Sequence, residues 1–136
     1  MQTGRISIGF HHVALKSGDF DRSLAFYTQL GLPVRAAWGE GDGRAAMLAL
    51  GERGLLELFA GGTPQPGDVQ GRAGAFLHLA IGTQDVDTAY QAALEAGAKP
   101  HTAPKDVTIP AQPPIQARIA FVEGPDGEVL EFFDEK

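Results

Sequence analysis

The chain has 136 residues, enough for one compact domain with a core of its own. Its net charge of −6 argues against a surface built for nucleic acid or anionic membranes. The absence of cysteine removes disulfides and thiolate metal sites, so any metal bound here uses imidazole and carboxylate. No apolar run approaches the roughly 20 residues of a membrane span, and "MQTGRISIGF" lacks a signal-peptide pattern. A cytoplasmic location is the resulting expectation.

In chain order, residues 6–16 predict a strand. Phe10, His12 and Ala14 share one face, and Val13 and Leu15 share the other. Asp19 is a good N-cap for a following helix, because its short carboxylate can accept free N–H groups of the first turn. Phe20, Leu24 and Tyr27 recur at i, i+4, i+7 as one buried stripe, and Gly31 ends the helix. Three strands follow at about 34–38, 45–50 and 55–59, separated by "GEGDGR" and "GERG". The stretch 60–74 reads as an exposed linker.

The pattern then begins again. Phe76, His78 and Ala80 oppose Leu77, Leu79 and Ile81 on a strand; Asp85 caps a helix; Val86, Tyr90 and Ala93 form its stripe; Gly97 ends it. Strands follow at about 99–103, 117–122 and 129–133. An insert, "PKDVTIPAQPPIQ", interrupts this half, and its prolines exclude a regular central strand. It reads equally as a rim over a site or as a passive surface loop.

The two halves are a repeat. "HVALKSGDFDRSLAFYTQLGLP" aligns without a gap on "HLAIGTQDVDTAYQAALEAGAK", 66 residues later. His12 falls on His78, Asp19 on Asp85, and Gly31 on Gly97. The unit is β-α-β-β-β, which organises the chain as one domain, 1–136. Its first module spans about 6–60, the linker 61–73, and the second module about 74–134.

Each unit also ends on a strand with a glutamate at its apolar centre: "LLELF" around Glu57 and "VLEFF" around Glu131, now 74 residues apart. Burying an unpaired carboxylate costs several kcal/mol, so each glutamate is either wetted or met by positive charge. A single histidine or glutamate in a strand is usually structural. Here one histidine and one glutamate occur at equivalent places in both repeats. Packing about a pseudo-twofold axis would bring two imidazoles and two carboxylates together, where a divalent cation offsets the buried charge. His/Glu ligation suits Ni, Zn, Co, Mn or Fe and leaves positions open for a substrate oxygen.

With these segments, and with the ending "GPDGEVLEF", the sequence resembles the glyoxalase/bleomycin-resistance/dioxygenase superfamily, the vicinal oxygen chelate proteins, over about residues 6–134. The resemblance implies an α+β fold of tandem βαβββ modules forming a cupped, eight-stranded mixed sheet around a metal site. Carried over by position, the ligands are His12, Glu57, His78 and Glu131. The His-Glu-His-Glu order resembles glyoxalase I and implies a metal-dependent, lactoylglutathione-lyase-like enzyme. In that branch a ligand carboxylate, here Glu57 or Glu131, moves a proton next to a carbonyl of a small chelating substrate. Alternatives are an extradiol-type dioxygenase, for which Glu57 would occupy a position that O₂ or catechol needs, and a protein that binds an antibiotic or metabolite without turning it over. Family members are commonly homodimers, and a site within one chain or across two fits equally.

One departure from glyoxalase I matters: Gly61 stands where that branch commonly has a glutathione-contacting Asn. Arg35, Arg44 and Arg118 are the candidates for glutathione-binding arginines. Alternation points His11 away from His12, as a structural or exposed residue. His101, beside the insert, is a candidate substrate contact. Trp38, Phe59, Phe76, Phe121 and Phe133 are candidates to line an apolar cavity.

Overall fold

A computed structural model describes residues 6–64 and 71–136. The expected linker therefore lies partly outside the described residues. The elements run β1 (His12–Lys16), α1 (Phe20–Leu30), β2 (Val34–Trp38), β3 (Ala45–Leu50), β4 (Gly54–Phe59), β5 (Leu79–Gly82), α2 (Val86–Glu95), β6 (Lys99–Ile109), β7 (Ile115–Glu123) and β8 (Val129–Glu135). Each half is thus βαβββ. No described helix is long and apolar enough to cross a membrane.

The eight strands form two four-stranded sheets, β1-β4-β3-β2 and β5-β8-β7-β6, not one eight-stranded sheet. In each sheet the first strand pairs in parallel with the last, and the remaining pairs are antiparallel. The expected first strand is longer than the one that forms. β1 starts at His12 because its only neighbour, β4, starts at Gly54, and the register sets His12 against Leu55. Phe10 lies beyond that register and its ring rests over Gly54. The second half repeats this, with β5 starting at Leu79 against Leu130.

Asp19 and Asp85 cap the helices as expected, accepting from the amides of Arg22 and Thr88. At the far end of α1, Gly31 adopts a left-handed φ of 118°, open to glycine at little cost. The α2 stripe of Val86, Tyr90 and Ala93 is buried. In α1 the buried set is Phe20, Ser23, Phe26 and Tyr27, with Leu24 only half-buried. Tyr27, Leu48, Leu56 and Leu58 from the first half share one apolar cluster with Val86, Val122, Leu130 and Phe132 from the second. The inner faces of both sheets and both helices therefore contribute to a single core.

Polar contacts reinforce that junction. Gly18 N–H donates to Asp126 Oδ1 at 3.0 Å, and Ser23 Oγ donates to Asp126 Oδ2 at 3.2 Å. The Tyr27 hydroxyl donates to Glu128 Oε2 at 2.8 Å, and the Asp126 amide donates to Glu128 Oε1 at 2.7 Å. The "GPDGE" turn of the second half is thus fastened to the start of α1. A Cβ at Gly124 would lie 2.6 Å from the Glu128 carboxyl carbon, so that position must be glycine for the carboxylate to fold back.

The expected insert is mostly strand. It lengthens β6 and, with β7, makes a long hairpin at the edge of the second sheet. Pro104 is tolerated because β6 is an edge strand and the ladder is irregular between Thr102 and Lys105.

Candidate metal centre

Burial alternates along β1. Val13 and Leu15 turn inward to the core, while His12, Ala14 and Lys16 are exposed. Along β4, Leu56 and Leu58 belong to the core, so Glu57 stands on the opposite face, the one that carries His12. His12 Nε2 lies 3.3 Å from Glu57 Oε1. The second half builds the same pair. Leu130 and Phe132 face the core and Glu131 faces out, with His78 Nε2 3.1 Å from Glu131 Oε1.

Each glutamate is only 8% exposed. Burial raises the Glu131 carboxyl above the ordinary carboxylate value, and His78 partly offsets this. Among the described residues neither carboxylate is paired with a lysine or arginine. What meets each buried carboxylate is one imidazole, which presents Nε2. Two carboxylates and two imidazoles without thiolate form a donor set suited to a divalent cation of the Ni, Zn, Co, Mn or Fe kind.

The four residues nevertheless come together two by two. Among the described residues no three His, Cys, Asp or Glu side chains form a group that could hold a metal ion. Convergence of both pairs in one cleft is not found within the single chain. The reason lies in the core: α1 and the "GPDGE" turn hold the two halves together through their inner faces, which leaves the two His/Glu faces outward.

The His11–His12 contact and Met47 escaped the sequence reading, whereas Phe121 and His101 were candidates there. His11 is exposed, as expected, yet its Nδ1 lies 2.8 Å from His12 Nδ1, with the rings edge-to-face at 5.1 Å. The only sequence signal for this is the His-His doublet. Phe121 pairs directly with Glu131 across β7 and β8, and its ring stands between His78 (5.3 Å) and His101 (5.6 Å). Met47 is the corresponding residue opposite Glu57.

Of the three candidate arginines, Arg44 pairs with Asp21 and lies over the Phe20 ring, and Arg118 pairs with Asp87 and Asp106. Both are committed elsewhere. Arg35 makes no ion pair among the described residues. Of the candidate cavity aromatics, Phe59, Phe121 and Phe133 are half-buried, while Trp38 and Phe76 are exposed.

The Escherichia coli K12 protein YaeR, itself uncharacterised, is 33% identical over 134 residues, covering 92% of this chain and 95% of its own. The crystal structure of SMU.1112c superposes with a TM-score of 0.74 at 26% identity, covering 93% of this chain and 98% of that one. TnmS3, an antibiotic binding protein from Streptomyces sp. CB03234, superposes with a TM-score of 0.70 at 21% identity, covering 97% and 100%. At that identity the likeness to TnmS3 speaks for the fold alone. A model of the Glyoxalase/Bleomycin resistance protein/Dioxygenase superfamily matches residues 9–132, and the chain belongs to that superfamily.

Proposed function

We propose that the protein is a cytoplasmic, homodimeric, divalent-metal-dependent lyase or isomerase. Its sites form where the first sheet of one chain meets the second sheet of another. The observation that carries this reading is the pair of equivalent half-sites, His12/Glu57 and His78/Glu131, each with a buried carboxylate, each turned outward. The surroundings favour closure by a second copy. Ile6, Ile8, Phe10, Trp38, Phe76 and Leu77 are large apolar side chains left exposed in one chain. Two-fold pairing would bring His12 and Glu57 of each chain to the partner's His78 and Glu131.

A divalent metal held by those four residues would supply positive charge beside the substrate oxygens. The chain's own contribution is proton transfer. Glu57 or Glu131 takes a proton from the carbon next to a carbonyl and returns it to the adjacent carbon, with no external oxidant or reductant. The imidazoles hold their carboxylates in place, and the half-buried aromatics Phe59, Phe121 and Phe133 keep water away. A second reading, non-catalytic binding of a small molecule, draws on the likeness to TnmS3.

Complementation tests the assembly. One variant carries His12→Ala and Glu57→Ala; the other carries His78→Ala and Glu131→Ala. Neither homodimer has an intact site, but a mixed dimer regains one complete site and should bind one metal. A site built within a single chain predicts no recovery. For activity, incubating the loaded protein in heavy water with α-hydroxy-ketones should give C–H exchange that is lost in Glu57→Gln or Glu131→Gln. Exchange persisting in both variants rejects the proposed base. Tight binding of a compound without any exchange favours the binder.

A further inference from the structure

The edge strands of the two sheets carry matching irregularities. In β6 the register passes from Pro100↔Val122 to Thr102↔Phe121, so His101 and Thr102 together oppose Phe121. In β2 it passes from Val34↔Leu48 to Ala36↔Met47, so Arg35 and Ala36 together oppose Met47. These are β-bulges, which re-aim side chains and occur preferentially beside functional sites. They are equivalent in the repeat: Arg35 stands 66 residues before His101, the same interval that separates His12 from His78. Phe121 and Met47, the residues opposite each bulge, are also the residues opposite Glu131 and Glu57.

The β6 bulge turns His101 onto the face that carries the His78/Glu131 half-site. The His101 ring lies 5.6 Å from Phe121, which lies 5.3 Å from His78. His101 Nδ1 is held by Thr102 Oγ1 at 2.9 Å, and Nε2 has no hydrogen-bond partner among the described residues. Arg35 is exposed, permanently charged, and without an ion pair among the described residues. Two strand spacings, about 10 Å, separate each bulge from the strand of its glutamate. In a chain of net charge −6, the Arg35 guanidinium and the His101 Nε2, at equivalent places, have no carboxylate partner among the described residues.

We propose that Arg35 and His101 read a second, anionic group of the substrate, a carboxylate or phosphate some way along from the oxygens held at the His/Glu centre. This rests on the metal centre proposed above and narrows its substrate to small chelating acids with an anionic tail. The half-buried Phe121 would lie beneath the connecting carbons, and Met47 would do the same on the other half.

The test uses the cobalt-loaded protein and four probes: acetohydroxamate, succinic and adipic monohydroxamates, and the methyl ester of the adipic compound. Cobalt absorption reports chelation, and titration gives affinity. One of the two anionic probes should bind about tenfold more tightly than the neutral ester, the worth of one charge-assisted hydrogen bond. His101→Phe keeps a ring against Phe121 but loses the N–H, and Arg35→Gln loses the charge. Each should reduce the advantage while leaving acetohydroxamate affinity unchanged, and Arg35→Lys should restore part of it. Equal affinity for ester and acids, or an advantage that survives Arg35→Gln combined with His101→Phe, overturns the proposal and leaves the metal centre standing. Failure to bind cobalt at all overturns both.

Discussion

The hydroxyl of Tyr27, on the first helix, donates a 2.8 Å hydrogen bond to Glu128, in the turn before the last strand, 101 residues further along the chain. Tyr27 is fully buried. The contact joins two halves that would otherwise meet mainly through apolar side chains, and it makes the turn a structural part of the first half.

Tyr27→Phe removes the donor but keeps the ring. A buried carboxylate that loses one partner costs about 1–3 kcal/mol. Denaturant unfolding should show a loss of that size. The loss should be largely absent when Glu128→Gln is already present, because no charge is then left stranded. Equal losses in both backgrounds would mean that the hydroxyl does not act through Glu128.

Stability should also fall with rising pH through this site. Burial raises the Glu128 carboxyl above its ordinary 4.5, although hydrogen bonds from Tyr27 and the backbone pull it down. In the unfolded chain the group ionises near the ordinary value. Between that value and the raised one, the folded protein keeps a proton that the unfolded chain has released. The stabilisation is therefore complete below the unfolded value and is lost as pH climbs through the folded one. In metal-free protein Glu131 is raised in the same direction and adds to the slope. Glu128→Gln should flatten stability against pH in this window without abolishing the dependence. An unchanged slope would count against the assignment.

Metal binding should depend on all four expected ligands. Alanine at His12, Glu57, His78 or Glu131 should each lower metal content, measured by elemental analysis of the purified protein. Chelator should lower the thermal midpoint, since whatever binds only the folded state stabilises it. If the centre bridges two chains, chelation should also shift the mass seen by light scattering toward the monomer. Full metal occupancy in all four variants would end the metal-centre reading.

His11 should matter without being a ligand. A second group on the far nitrogen of a ligating histidine fixes the orientation of its ring, and losing it typically costs ten- to a hundredfold in metal affinity. His11 Nδ1 sits 2.8 Å from His12 Nδ1. His11→Ala should weaken metal binding within that range while leaving folding unchanged, and His11→Gln should recover part of the loss. An unaltered affinity in His11→Ala would make the contact incidental.

Much of this architecture is written locally. Capping aspartates, helix-ending glycines and strand alternation act over a few residues, so the repeated β-α-β-β-β order could be read before any folding was known. So could the choice of His12, Glu57, His78 and Glu131 as equivalent polar positions of the two units. Each histidine falls at or just before the first strand of its unit and each glutamate at the centre of the last, although their side-by-side pairing within one half shows only in the fold. Tertiary structure decided the rest. The strands expected before His12 and Leu79 stop short because their parallel partners β4 and β8 only begin at that level and no neighbour is there to bond. The Arg44 and Arg118 ion pairs, the His11–His12 contact and the bulge that turns His101 toward Phe121 depend on groups brought close by packing or register. Above all, the chain does not gather its four metal-ligand candidates. Asp126 binds the start of the first helix and Glu128 its Tyr27, the inner faces of both sheets share one core, and the half-sites are left facing outward. Local pattern specifies what each half presents, whereas the direction in which the halves present it follows from how their apolar faces are buried together.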